Sequence, residues 1–187
     1  MGLFMTLAAV AAPLDDVNRT LRTLGTKIEG FEGAGAMERA TERILIFFDD
    51  YTSHGSTACR MLSAKLECPV FHIHVHDGDL WMYNFFVAGE EVDRFNPRPG
   101  YWAPVSDDEL ASWQGNAETI AAHWPDLDAA DVANYLVRVT DDTDFDAKAY
   151  PTDSSTIGNC WQFIDFTAKL GITYPDGEEF EECDEDE

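Results

Sequence analysis

The sequence predicts an α+β protein in which an N-terminal helix and an antiparallel sheet precede a mostly helical C-terminal half. Alternating apolar and polar residues on both sides of Asp77-Gly78, in FHIHVHDGDLWMY (71–83), indicate the sheet. Helical spacing of apolar residues between 107 and 171 indicates the second half. With 45% hydrophobic residues in a chain of 187, there is enough apolar surface to build one core.

The N-terminal helix is predicted from apolar residues that recur at alternating spacings of four and three. They are Leu3, Leu7, Val10, Leu14, Val17, Leu21 and Leu24. Gly25 should end this helix, and Pro13 should kink it or divide it in two. A short buried strand in ERILIFF (42–48) and a helix in STACRMLSAKLE (56–67) should follow.

A β-hairpin at Asp77-Gly78 is the strongest local prediction. Asp-Gly between two alternating runs is typical of a two-residue type I′ turn, because both central residues need positive φ. The resulting register pairs His76 with Asp79, His74 with Trp81 and His72 with Tyr83. The opposite, apolar face should then hold Phe71, Ile73, Val75, Leu80 and Met82, packed on helices that include the N-terminal one. EEVDRF (90–95) is predicted as the next strand.

The C-terminal half contains four segments with helical spacing. They are DDELASWQG (107–115), AETIAAHWP (117–125), AADVANYLVRV (129–139) and CWQFIDFTAKLG (160–171). Ser106 or Asp107, Asn116 and Asp128 have the residue types that cap helix N-termini.

The charge of the chain is unusual. It has 36 acidic and 12 basic residues, which gives a formal net charge of −24. The last twelve residues, 176–187, hold nine acids and no base, so we expect a single domain over 1–175 followed by a disordered acidic tail. So acidic a surface repels nucleic acid and anionic membranes. It is explained equally well by a basic protein partner or by a saline environment.

Other features predict a cytoplasmic protein without a cofactor. The chain has no apolar run of 18 residues and no basic segment before its apolar start, so neither a transmembrane helix nor a secretory signal is expected. Cys59, Cys68, Cys160 and Cys183 lack the paired spacing of metal sites, and we interpret them as free thiols in a reducing compartment. The sequence leaves the oligomeric state open, and a homodimer is compatible with it.

Two stretches, DGDLWMYNFFVAGEEVDRFNPRPGYW (77–102) and NCWQFIDFTAKLG (159–171), resemble a family of uncharacterised bacterial proteins. The resemblance implies a stand-alone bacterial cytoplasmic protein. It supplies neither an activity nor any site residues.

The three histidines of the predicted hairpin suggest a metal site. Alternate residues of a strand share a face, so His72, His74 and His76 could together hold zinc. Side chains spaced along one strand lie about 7 Å apart, however, and tetrahedral sites usually draw ligands from several elements. We therefore favour a polar and aromatic sheet face over a zinc site.

Cys160 suggests a second chemistry. Gly158-Asn159-Cys160-Trp161 is similar to the nucleophile motif of papain-like hydrolases, in which a helix N-terminus stabilises the thiolate. Every histidine precedes Cys160, so the hypothesis requires a permuted arrangement with His74 or a neighbouring histidine as general base. The alternative is that Cys160 is a small core residue.

The leading functional hypothesis is a non-enzymatic protein-binding module of the adaptor or immunity type, steered towards a basic partner by its charge. The cysteine hydrolase and the zinc protein are the two alternatives. The predicted binding surface consists of His72, His74, His76, Asp79, Trp81, Tyr83, Arg94, Tyr101 and Trp102.

Overall fold

The protein has the predicted α+β class, and its antiparallel sheet has six strands. The computed structural model describes residues 2–28, 31, 34–48 and 54–175. The strands are β1 (Met5–Val10), β2 (Ala34–Ala40), β3 (Arg43–Phe48), β4 (Pro69–His76), β5 (Leu80–Val87) and β6 (Glu90–Phe95). The helices are α1 (Leu14–Leu24), α2 (His54–Leu66), α3 (Asp107–Ser112), α4 (Ala117–His123) and α5 (Gln162–Lys169).

The first six elements have the connectivity of a ferredoxin-like fold. The sheet order is β2-β3-β1-β4-β5-β6, and every neighbouring pair is antiparallel. Along the chain, β1 to β4 with α1 after β1 and α2 after β3 form a β-α-β-β-α-β pattern. In the sheet these four strands are adjacent in the order β2-β3-β1-β4, which is the arrangement of that fold. The β4–β5 and β5–β6 hairpins then extend the sheet.

Both faces of the sheet are covered by other parts of the chain, and each face has its own hydrophobic core. We call the side under α1 and α2 the helix face. Its core contains Ala8, Val10, Ile44, Ile46, Val70 and Phe86 from the strands. The opposite face packs against the chain after β6, with Leu7, Leu45, Phe71, Ile73, Trp81, Tyr83 and Phe85 meeting Trp124, Tyr135, Phe163 and Phe166.

The prediction of one helical stripe from Leu3 to Leu24 is wrong for its first half. Residues Met5–Val10 form β1, and the helix begins only after Pro13. Because β1 is covered on both sides, its apolar run shows no alternation, and the helical spacing of Leu3, Leu7 and Val10 is coincidental. The spacing is meaningful in α1, where Val17, Leu21 and Leu24 are buried.

The hairpin forms at the predicted turn but with a register one residue away from the predicted one. Asp77 and Gly78 have φ of 54° and 75°, and the Asp79 N–H donates to the His76 carbonyl oxygen at 3.0 Å, as in a type I′ turn. His76 is nevertheless paired with Leu80. Asp79 is therefore an extra, bulged residue on the β5 side, and from there on every β5 side chain lies on the face opposite to the predicted one.

The C-terminal half contains less helix than predicted. Between residues 96 and 175, only α3, α4 and α5 are α-helical, and the predicted helix at 129–139 is two short 3-10 turns, Ala129–Asp131 and Ala133–Tyr135. Side-chain bonds hold the irregular chain instead: the buried Asp153 carboxylate accepts from the Tyr135 hydroxyl and from the Tyr150 N–H. The predicted caps are confirmed, since Ser106, Asn116 and Asp128 each accept an N–H of the turn that they begin.

The predicted acidic tail, 176–187, lies outside the described residues. Among the helices that are described, none has the length and the apolar character needed to span a membrane.

The turn predicts a measurable stability effect. Gly78→Val should lower the free energy of unfolding by about 1–2 kcal/mol, because valine resists positive φ. Gly35→Val is the matched control, since a Cβ there meets nothing within 4 Å and no positive φ is required. Chemical denaturation of both variants would check this, and equal effects would show that backbone conformation at Gly78 is unimportant.

Candidate functional site

The candidate site lies on the helix face, where β1, β4 and β5 approach the Asp77-Gly78 turn. The pairing of the three strands arranges their side chains in three rows across the sheet. Starting from the turn, the rows are Phe4, His76 and Leu80, then Thr6, His74 and Met82, and finally Ala8, His72 and Asn84. The histidines thus form the middle column, in which His72, the farthest from the turn, is buried and His74 and His76 are half-buried.

His72 is the buried member of the column. Its side chain is 8% exposed, and burial is the main cause that lowers its pKa to about 4, with a smaller contribution from His74. The imidazole is therefore neutral at physiological pH. Gly55, in the first turn of α2, lies directly above it: a Cβ at this position would come within 3.2 Å of His72 Nε2 and 2.7 Å of Thr6 Cγ2. Glycine thus allows α2 to approach this part of the sheet.

A chain of polar contacts across three strands orients the His72 ring. Asn84 Nδ2 donates to Glu91 Oε2 at 3.1 Å, which leaves Asn84 Oδ1 facing His72 Nδ1 at 3.5 Å. This arrangement favours the tautomer with the proton on Nδ1, so that Nε2 carries a lone pair. Nε2 is buried without a hydrogen-bond partner in the described part of the chain.

His74 and His76 lie closer to the surface. His74 Nδ1 is 3.4 Å from the Thr6 hydroxyl, and burial, together with the nearby His76, lowers its pKa. The two imidazole rings are 5.8 Å apart. At the outer end of the column, aromatic rings lie around His76.

These rings form the histidine–aromatic patch, which we define as Phe4, His76, Tyr101 and Trp102. The ring centroids of Phe4 and Trp102 are 5.0 Å and 4.9 Å from that of His76, both in edge-to-face geometry. Tyr101 is 5.8 Å from His76, and its hydroxyl donates to Asp79 Oδ2 at 2.7 Å. This hydrogen bond is the main cause that raises the pKa of Tyr101.

The patch is accessible to a partner. Trp102 is 55% exposed and Phe4 is 38% exposed, and they are two of the four exposed aromatic side chains in the described part of the chain. The carboxylates of Asp77 and Asp79 are exposed beside it at the turn. Large aromatic side chains that stay exposed next to each other are typical of contact surfaces.

Three residues of the predicted binding surface are buried instead: His72 lies under α2, and Trp81 and Tyr83 are in the core. Trp81 and Tyr83 face the C-terminal half because of the bulge at Asp79. Trp81 donates from Nε1 to Gln162 Oε1 at 3.3 Å, and the Tyr83 hydroxyl donates to Asp93 Oδ2 at 2.7 Å. They cannot contact a partner, and the structure corrects this part of the prediction.

Arg94 has a structural role away from the patch. Its guanidinium donates to the carbonyl and hydroxyl oxygens of Ser112, and it lies over the ring of Trp113 at 4.6 Å. Arg94 therefore ties β6 to the end of α3.

The structure does not bring Cys160 and His74 together. Cys160 is 4% exposed within the core of the C-terminal half, while His74 is on the helix face, so the sheet lies between them. Burial raises the pKa of the Cys160 thiol, which is the opposite of what a thiolate nucleophile requires. The pair on which the hydrolase alternative depends is therefore not formed.

The structure also separates the atoms that would have to bind zinc together. Within residues 2–28, 31, 34–48 and 54–175, no three His, Cys, Asp or Glu side chains are grouped so that they could hold a metal ion. His72 is covered by α2, whereas His76 is surrounded by carbon-rich rings.

Sequence reasoning missed several members of the site. Phe4 was assigned to a helix, and Gly55, Asn84 and Glu91 were given no role. Only the correct register places Asn84 beside His72, and Glu91 is then hydrogen-bonded to Asn84.

The chain matches no protein-family model, no curated protein and no solved structure in the comparisons made. The family resemblance of the sequence stays a prediction.

The buried His72 predicts a pH effect on stability. A histidine in the unfolded chain has a pKa of about 6.5, whereas His72 in the folded protein has a pKa of about 4. Between these two pH values the unfolded chain is protonated at this residue and the folded protein is not. The contribution of the neutral His72 to the free energy of unfolding should therefore be fully present above about pH 6.5. It should fall by up to about 3 kcal/mol as the pH is lowered towards 4.

Denaturation at constant salt between pH 7 and pH 4.5 would check this effect. His72→Gln should lose less stability than the wild type over this interval, whereas His123→Gln, on the surface of α4, should retain the wild-type loss. Identical pH profiles for His72→Gln and the wild type would contradict the buried neutral imidazole.

Proposed function

We propose that the protein is a non-enzymatic binding module that recognises a basic segment of a partner protein through the histidine–aromatic patch. The observation that carries the proposal is the exposure of Trp102 and Phe4 around His76, next to the exposed carboxylates of the turn. Such a combination offers a partner aromatic anchors and negative charge at one place.

The ring chemistry of the patch fits a cationic group. Arginine and lysine side chains are attracted to the faces of Trp, Tyr and Phe, and a nearby carboxylate can add a charge-assisted hydrogen bond. Asp79 is already hydrogen-bonded to the Tyr101 hydroxyl, which orients that ring, while Asp77 is exposed at the turn. An arginine placed over Trp102 would therefore find a carboxylate near it.

The surface beyond the patch supports the same kind of partner. Between 107 and 146 there are eleven exposed acids and a single base, Arg138. Among these acids, the salt bridges of the described chain include only Asp126, which pairs with Arg43 at 3.5 Å. The uncompensated charge would steer a basic partner towards the protein and accelerate association.

A peptide-binding measurement separates this proposal from a charge that serves only solubility. Fluorescein-labelled oligoarginine should bind, oligoglutamate should not, and the affinity should fall as salt rises. Trp102→Ala should weaken oligoarginine binding about tenfold, because an aromatic anchor that meets a desolvated cation contributes about 1–2 kcal/mol. Fluorescence anisotropy at two salt concentrations would measure this.

Trp161→Ala is the matched control, because Trp161 is also exposed, at 42%, and lies just before α5, outside the patch. Its binding should equal that of the wild type. If both tryptophan variants bind oligoarginine as the wild type does, the attraction is diffuse and the patch is not the binding site.

A further inference from the structure

A cleft between the proline-rich loop after β6 and the chain around Val139 collects positive charge in a strongly acidic protein. The cleft has a volume of about 420 Å³, within the range of small-molecule sites. Its lining consists of Arg98, Pro99, Gly100, Tyr101, Leu110, Arg138, Val139, Thr140 and Asp141. Two of the twelve bases of the chain thus line one cavity.

Neither arginine of the cleft is in a salt bridge with a described carboxylate. Arg138 uses one nitrogen, Nη2, to donate to the Leu110 carbonyl oxygen at 2.8 Å and to Gln114 Oε1 at 3.3 Å. The Arg98 guanidinium lies over the ring of Phe145 at 5.9 Å and donates no hydrogen bond to a described residue. Most of the N–H donors of the two side chains are therefore uncommitted.

The walls of the cleft are held by backbone contacts. The Val139 N–H donates to the Pro97 carbonyl oxygen at 2.9 Å, and the Tyr101 N–H donates to that of Arg98 at the same distance. Pro97 and Pro99 are buried and have fixed φ. Because these residues are already ordered, binding of a ligand between them costs little conformational entropy.

We propose that this cleft binds a small ligand through one carboxylate or phosphate group, which Arg98 and Arg138 hold. Guanidinium groups bind the oxygens of both anions with paired N–H donors. Asp141 lines the same cleft and would repel a second negative charge, so the ligand carries a single anionic group on the arginine side. The site is distinct from the proposed docking function, although Tyr101 borders both.

The test is a titration of ¹⁵N-labelled protein with inorganic phosphate and, separately, with acetate, with chloride used to keep the ionic strength constant. The backbone N–H signals of Arg98, Tyr101, Val139 and Thr140 should shift and saturate with at least one of the two anions. The anion that binds more tightly identifies the group, phosphate or carboxylate, that the site prefers.

Arg98→Gln should weaken this binding about tenfold or more, because it removes a charged hydrogen-bond donor from an exposed side chain. Arg60→Gln is the matched control: Arg60 is also exposed and lies over a phenylalanine ring, that of Phe86, at 5.6 Å. Its binding should be unchanged.

Two results would overturn the proposal. One is the absence of saturable shifts with both anions. The other is equal binding by Arg98→Gln and the wild type, which would mean that the signals respond to ions in general.

Discussion

The register of the β4–β5 hairpin determines which face of the sheet each functional side chain occupies. The positive φ values of Asp77 and Gly78 fix the turn, and the bulged Asp79 shifts all of β5 by one residue relative to a simple two-residue hairpin. The Gly78 N–H also donates to the Leu3 carbonyl oxygen at 2.9 Å, which attaches the chain before β1 to the same turn. Phe4 is placed beside His76 by this contact.

The bulge matters because both faces of the sheet are covered by different parts of the chain. Trp81 and Tyr83 complete the core of the C-terminal half, where both rings lie against Phe166. On the helix face, α2 covers the inner end of the histidine column, and Tyr101 and Trp102 lie against its outer end. The same strand thus supplies a buried neutral imidazole at one end and an accessible patch at the other.

The sequence predicted those parts of the fold that depend on local chemistry. The α+β class, the Asp-Gly turn, α2 and the caps of α3 and α4 follow from residue types at short spacing. β1 could not be recognised, because a strand buried on both faces has no alternating pattern. The irregular segment after α4 depends on bonds such as that of Tyr135 to Asp153, which link residues that only the folded chain brings together.

The candidate site was predictable only in part, for the same reason. His76, Asp79, Tyr101 and Trp102 were expected at a binding surface, and they do lie together. Trp81 and Tyr83 were assigned to it because a bulge of one residue leaves no signature in an Asp-Gly motif. The cleft of Arg98 and Arg138 joins residues 40 positions apart, and nothing in either local sequence connects them.

The central claim is the register, and cross-strand nuclear Overhauser effects between backbone protons of β4 and β5 test it most directly. The account predicts contacts between His74 and Met82 and between His72 and Asn84. Contacts of His74 with Trp81 and of His72 with Tyr83 would show that no bulge exists at Asp79. Trp81 and Tyr83 would then lie on the helix face with the histidines, and the account of both cores and of the patch would be wrong.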